Sequence, residues 1–107
     1  KDVITKKHIE KMKDGVILVN TARGAVTDEA DIAEAVLNGK IGAFGTDVYS
    51  AEPMSSEHPF NRIKHLSNVY LPPHMAWGAF ESRTRCISEI GKNIAAFLAG
   101  EMRNRVV

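Results

Sequence analysis

The apolar residues of this chain follow two spacings in turn. Near the start, Ile9 and Met12 stand at helical spacing behind Thr5, a type that caps helix N-termini. Lys11 and Lys13 fall in the closing turn, and Gly15 follows the end. "VILVN" (16–20) is then apolar without alternation, which predicts a strand buried on both faces, as in a parallel sheet. Thr27 or Asp28 is placed to cap a second helix that carries Ile32, Ala35 and Val36 on one side and ends at Gly39. "IGAFGTDVY" (41–49) predicts a second strand, whose glycines mark where another backbone or a ligand comes close. A loop of about 18 residues with Pro53 and Pro59 follows, a length that often signals function. "NVYLPP" (68–73) predicts a third strand stopped by two prolines. The stretch "GAFESRTRCISEIGKNIAAFLAGE" predicts a long amphipathic helix, with Ile87, Ile90, Ile94, Phe97 and Leu98 as its buried stripe.

Strands alternating with helices imply a parallel sheet with right-handed crossovers. The first half of a dinucleotide-binding fold would open with a strand and G-x-G-x-x-G, and that motif does not occur in this sequence. The expected fold is therefore α/β: the second half of a Rossmann-type parallel sheet, with flanking helices and a long C-terminal helix.

Composition narrows the picture further. A length of 107 residues allows one domain at most. A net charge of +1, with Lys and Arg scattered, gives no electrostatic footprint for nucleic acid. The single cysteine, Cys86, excludes an internal disulfide and a Cys-based zinc site, and the expectation is a cytoplasmic protein. No apolar run approaches the roughly 20 residues that cross a bilayer, so no membrane is expected. The first residue is Lys1 rather than Met, which suggests that the true beginning lies elsewhere. His8, His58 and His65 fit no metal-ligand pattern and read as surface residues, and no metal site is expected. Cys86 reads as a partly buried helix residue, and Glu81, Arg83 and Arg85 as a solvated or interface face.

In open α/β sheets, ligands bind outside the carboxyl ends of the strands. Thr21, Ala22 and Arg23 follow the first strand, Asp47 and then Glu52 the second, and His74 the third. An arginine, two carboxylates and a histidine thus converge on one edge. Each has a plainer reading alone: a solvated arginine at a helix start, a solvated Glu-Pro loop, a turn histidine, an aspartate capping a turn.

Together they carry a resemblance. "MKDGVILVNTARG", "GTDVYSAEP" and "LPPHMAWG" resemble three successive signatures of the NAD-dependent D-2-hydroxyacid dehydrogenase family. The likeness runs over nearly the whole chain, from "KDVI" to "RNRVV". It implies Arg23, Glu52 and His74 as the catalytic arginine, glutamate and histidine. It implies Thr21, Ala22, Arg23, Asp47, His74, Ala76 and Trp77 as cofactor-binding positions, and NAD or NADP as cofactor. It also implies a small 2-oxo or 2-hydroxy acid substrate and a homodimer. Residues 1–78 would be the C-terminal half of the cofactor domain, and residues 79–107 the helix and tail that return toward a substrate-binding domain.

The departures are mild. Pro72 stands where Thr often precedes Pro-His, and Tyr49 where Phe is usual. Glu52 separates the chain from the formate dehydrogenase branch, which carries Gln there. Trp77 after His-x-Ala looks most like the glycerate dehydrogenases that reduce hydroxypyruvate, although a tryptophan there serves packing equally well.

The implied chemistry suits these types. A planar guanidinium grips the carboxylate and carbonyl of a 2-oxo acid with paired hydrogen bonds. Hydride passes between nicotinamide and C2, while histidine gives or takes the oxygen's proton. A carboxylate beside the ring favours imidazolium and fixes the tautomer. Two rivals remain at this stage: a non-enzymatic regulator of the same fold that senses the cofactor, and a free-standing half-domain that acts as an assembly module.

Overall fold

A computed structural model describes residues 1–106, which form two compact units, Lys1–Met75 and a second beginning at Ala76.

In the first unit the elements are α1 (Lys6–Ile9), β1 (Val16–Asn20), α2 (Glu29–Leu37), β2 (Ile41–Thr46) and β3 (Val69–Tyr70). Short 3-10 turns at Gly24–Val26 and Pro59–Arg62 join them. The three strands form one parallel sheet in the order β1-β2-β3. All three therefore end on the same edge, with Asn20 beside Thr46 and Gly45 beside Tyr70.

Local chemistry fixes the boundaries. Asp28 caps α2, its Oδ1 accepting the N–H groups of Ala30 and Asp31 at 3.0 Å each. These are donors that a helix start otherwise leaves unpaired. Gly39 takes the left-handed conformation (φ 80°) that closes α2, as its sequence position implies. The β1–β2 register shifts after Val16↔Ile41, so that Ile17 faces Ala43. Gly42 occupies the shift, and a Cβ there would lie 2.6 Å from the Gly15 carbonyl oxygen.

The core gathers Ile9, Ile32, Ala33, Ala35, Val36, Ile41, Phe44, Phe60 and Ile63. Phe60 comes from the long loop and meets Phe44 with ring centroids 5.1 Å apart. Burying a side chain of this size contributes about 1.5–3 kcal/mol. The loop is therefore anchored to the sheet rather than draped over it.

Several expectations are corrected here. β1 is not buried on both faces. Val16 and Leu18 pack toward the core, but Ile17 and Val19 are 73% and 65% exposed. Side chains alternate along a strand, and the core of this unit lies on the Val16/Leu18 side. The first helix is a single turn, the second strand ends at Thr46, and the third spans only two residues.

The second unit holds a 3-10 turn, Ala76–Gly78, and α3 (Phe80–Leu98). The expected buried stripe is exposed: Ile87, Ile90, Ile94, Phe97 and Leu98 all face outward, and Ala96 alone of the helix is buried. A lone helix has no second apolar layer in its own unit to cover such a stripe. Cys86 is likewise exposed rather than partly buried. The tail folds back on this helix: Arg103 reaches the Glu89 carboxylate at 2.5 Å and also pairs with Asn93. Lys92 first, and Arg103 with it, pull the Glu89 pKa down to about 2. No helix is long and apolar enough to cross a membrane among the described residues.

Candidate active site

The three strand ends supply three short segments. After β1 the chain turns sharply, and Asn20, itself buried, clasps the turn. Its Nδ2 donates to the Arg23 carbonyl and its Oδ1 accepts the Ala22 N–H, both at 3.0 Å. The Asn20 carbonyl in turn accepts from Thr46 Oγ1 and from the Asp47 N–H, each at 3.1 Å. The Thr21–Arg23 turn is thus locked to the end of β2, and all three of its residues stand exposed. Sequence reasoning passed over Asn20. Its signal was a polar residue closing an otherwise apolar strand.

Asp47 is 5% exposed, and its Oδ1 accepts the Met75 N–H at 2.7 Å. This bond draws the segment after β3 toward the end of β2. His74 sits just before it in a left-handed conformation, φ 56°. A non-glycine residue there costs of order 1 kcal/mol, a strain that concentrates at functional sites.

Glu52 and His74 meet. Glu52 Oε2 lies 2.7 Å from His74 Nδ1, while Glu52 Oε1 accepts the Tyr49 N–H at 3.0 Å. The His74 hydrogen bond first, and the Tyr49 N–H second, hold the Glu52 carboxyl below its ordinary pKa. Because Nδ1 faces a carboxylate, the proton on that nitrogen is held and Nε2 is left to face elsewhere. The Tyr49 hydroxyl donates to the Pro72 carbonyl at 2.6 Å, tying the Glu52 loop to the His74 segment a second time. Burial, with Asp47 and Glu52 nearby, pushes the Tyr49 phenol up. A concavity of about 360 Å³ opens beside the pair, floored by Tyr49, Met54 and Leu71. That is the lower range of small-ligand sites.

The structure therefore joins Glu52, His74 and Asp47 in one hydrogen-bonded cluster. Arg23 is not bonded into it, because its Nη1 donates to the neighbouring Ala22 carbonyl at 2.7 Å. Its segment nonetheless abuts the cluster, since the next residue, Gly24, is pressed against the Tyr49–Ser50 backbone. Ala76 and Trp77 belong to the second unit, where Trp77 is 62% exposed.

The surface reading of His58 is overturned. Its side chain is 4% exposed and lies beside the equally buried Glu29, with Nε2 3.0 Å from Oε2. The contact is close but off the direction of a regular hydrogen bond. Phe60 sinks into the core and takes its neighbour with it, which the polar stretch around His58 conceals. His8 and His65 are exposed, as expected. Among the described residues no group of three His, Cys, Asp or Glu is placed to hold a metal ion.

The donor set suits one half of a nicotinamide cofactor. Asp47 and the exposed Thr21–Arg23 turn offer acceptors and donors at the carboxyl edge of the sheet, the edge where open α/β sheets bind their ligands. The glycine-rich turn that would hold a pyrophosphate does not occur in these 107 residues.

Comparison with known proteins agrees. Residues 1–76 match the family described as D-isomer specific 2-hydroxyacid dehydrogenase, NAD binding domain. A hydroxypyruvate reductase from Blautia hydrogenotrophica is 38% identical over 104 residues, covering 97% of this chain and 31% of that protein. The chain thus spans between about a fifth and a third of the length of the curated relatives it matches. A D-lactate dehydrogenase from Lactobacillus jensenii, solved with NAD+, superposes with TM-score 0.83 at 27% identity, covering 100% of this chain and 35% of that one. A D-isomer specific 2-hydroxyacid dehydrogenase from Xanthobacter autotrophicus Py2, solved with NADPH and MES, gives 0.80 at 30% identity, covering 100% and 42%.

Proposed function

Since the chain belongs to the NAD-binding domain family of the D-isomer specific 2-hydroxyacid dehydrogenases, we propose that it carries the catalytic edge of such an enzyme. The reaction is reversible hydride transfer between a nicotinamide cofactor and a small 2-oxo or 2-hydroxy acid. The observation that carries this reading is the 2.7 Å contact between Glu52 and His74.

The cofactor, when bound, supplies or accepts the hydride. The residues of this chain do the rest. Nδ1 of His74 is held by Glu52, so Nε2 gives a proton to the substrate oxygen during reduction and takes it back during oxidation. Arg23 swings its guanidinium from the Ala22 carbonyl to the substrate carboxylate, where the planar fork forms paired hydrogen bonds. Asp47 and the Thr21–Arg23 turn orient the carboxamide half of the nicotinamide, and Ala76 and Trp77 are further cofactor-binding positions of the family pattern. Asn20 acts through the turn it clasps.

Within the substrate class, hydroxypyruvate and glycerate are the first choice, on the strength of Trp77 and of the hydroxypyruvate reductase relative. NADP is retained beside NAD, because the strand end that reads the ribose 2′ position is not among these residues. The reading extends to a homodimer in the cytoplasm. The exposed apolar residues of α3 offer material for an interface, and one cysteine accords with a reducing compartment.

The test is NADH or NADPH oxidation by the full-length protein that carries this sequence, with hydroxypyruvate and other small 2-oxo acids. Turnover with either cofactor supports the proposal. Tight cofactor binding without turnover of any such acid overturns it in favour of a cofactor-sensing regulator.

A further inference from the structure

A second buried cluster of ionisable side chains in the first unit lies outside the Glu52–His74 pair. Glu29, the first residue of α2, turns its carboxylate inward rather than to solvent, and 8% of its side chain is exposed. Its Oε1 accepts the Ser50 N–H at 2.8 Å and its Oε2 accepts the Ser50 hydroxyl at 2.5 Å. Nε2 of the buried His58 lies 3.0 Å from the same Oε2. On its other side, His58 Nδ1 accepts the Phe60 N–H at 3.2 Å, which puts the ring proton on Nε2, toward Glu29.

A buried carboxylate is costly unless its oxygens are occupied. Here Ser50 hydrogen-bonds both oxygens, and His58, on the far arm of the same loop, stands close to Oε2 without regular hydrogen-bond geometry. Ser50 stands two residues before Glu52, and His58 six residues after it. The loop between them is tied down elsewhere as well: Met54 packs against the core, Asn61 Nδ2 donates to the Ser55 and Ser56 carbonyls, and the Tyr49 ring packs edge-on to His58 with centroids 6.1 Å apart. The pressing of Gly24 on the Tyr49–Ser50 backbone brings the Arg23 turn against the same cluster.

We infer that Glu29, held between Ser50 and His58, is a positioning residue that fixes the loop so that the Glu52 carboxylate meets His74. It touches neither substrate nor cofactor. The inference rests on the reading of Glu52 and His74 as the acid–base pair, but its first test does not need turnover.

That test follows the Glu52 carboxyl by carbon-detected NMR in the 107-residue chain across acid pH. The groups facing Glu52 are His74, the Tyr49 N–H and the Asp47 carboxylate; the first two hold it below its ordinary value, against the opposing push of Asp47. In Glu29→Gln the Glu52 titration should move up toward that value, as the loop loses its hold and the His74 contact loosens. Ser50→Ala removes one bond at an exposed position and should move it the same way by less, while Ser50→Thr keeps a hydroxyl and should restore it. In the full-length protein, Glu29→Gln should lower kcat at least tenfold with KM for the 2-oxo acid within about threefold. A Glu52 titration unchanged in both Glu29→Gln and Ser50→Ala, with only the melting temperature lowered, would overturn the inference and leave Glu29 a purely structural residue. If the wild type turns nothing over while the titration shifts as stated, the positioning role stands and the enzymatic reading falls.

Discussion

Glu52 and His74, separated by 22 positions in the chain, bring a carboxylate oxygen and Nδ1 of an imidazole to 2.7 Å. Two further bonds hold the arrangement from behind, from the Tyr49 N–H to Glu52 and from the Tyr49 hydroxyl to the Pro72 carbonyl. The pair is therefore built into the first unit.

The acid behaviour of this pair follows from its geometry. The hydrogen bond from His74 is the largest cause of the lowered Glu52 pKa. A carboxyl lowered in the folded state adds stability that is fully present above its unfolded value, 4.5, and lost as pH falls through the folded value. Glu52 should thus titrate below 4.5 in the wild type and move up toward 4.5 in His74→Ala. A carbon NMR titration of the labelled carboxyl in both chains measures this directly, and equal values would show that the contact is not made in solution.

Gly24 tests how closely the Arg23 turn and the Glu52 loop are joined. A Cβ on Gly24 would overlap the backbone of Tyr49 and Ser50, and backbone cannot step aside as a flexible side chain does. Overpacking of this kind costs typically about 1–3 kcal/mol. Gly24→Ala should lower the melting temperature by roughly 4–8 °C per kcal/mol lost. The amide signals of residues 49–52 should shift in the same variant. A melting curve and an amide spectrum matching those of the wild type would refute the close approach.

Arg23 is predicted to act on the substrate. Arg23→Lys keeps the charge but loses the fork. Truncating one partner of a buried charged pair costs about 2–5 kcal/mol, so kcat/KM in the full-length protein should fall roughly 30-fold or more. Cofactor affinity should change little, because the turn's backbone conformation is held by Asn20 and not by the Arg23 side chain. Loss of NADH binding with substrate kinetics spared would assign Arg23 to the cofactor instead.

The parts of this site differ in how far the sequence reveals them. That the segments carrying Arg23, Asp47, Glu52 and His74 share one edge is legible, because a parallel sheet delivers every strand end to the same side. His58 is not legible. Its neighbours Ser55, Ser56 and Glu57 read as solvent-exposed, and only the burial of Phe60 and the inward turn of Glu29 draw it inside. The apolar runs mislead in another way. "VILVN" and the α3 stripe carry the pattern of fully covered elements, yet Ile17, Val19, Ile87 and Phe97 stand exposed. Hydrophobic periodicity reports which faces are suited to burial, not which face the unit's own residues cover.

The central claim is that His74, held by Glu52, moves the substrate's proton. It is tested most directly by the pH profile of kcat/KM for NADH-linked reduction of hydroxypyruvate by the full-length protein, in the wild type, His74→Asn and Glu52→Gln. The account predicts turnover by the wild type and a loss of about 100-fold or more in His74→Asn, the usual scale for a positioned acid–base group. It predicts that kcat/KM falls in Glu52→Gln as well, because the ring has lost the carboxylate that holds its Nδ1 proton. A His74→Asn or a Glu52→Gln enzyme as fast as the wild type would contradict it.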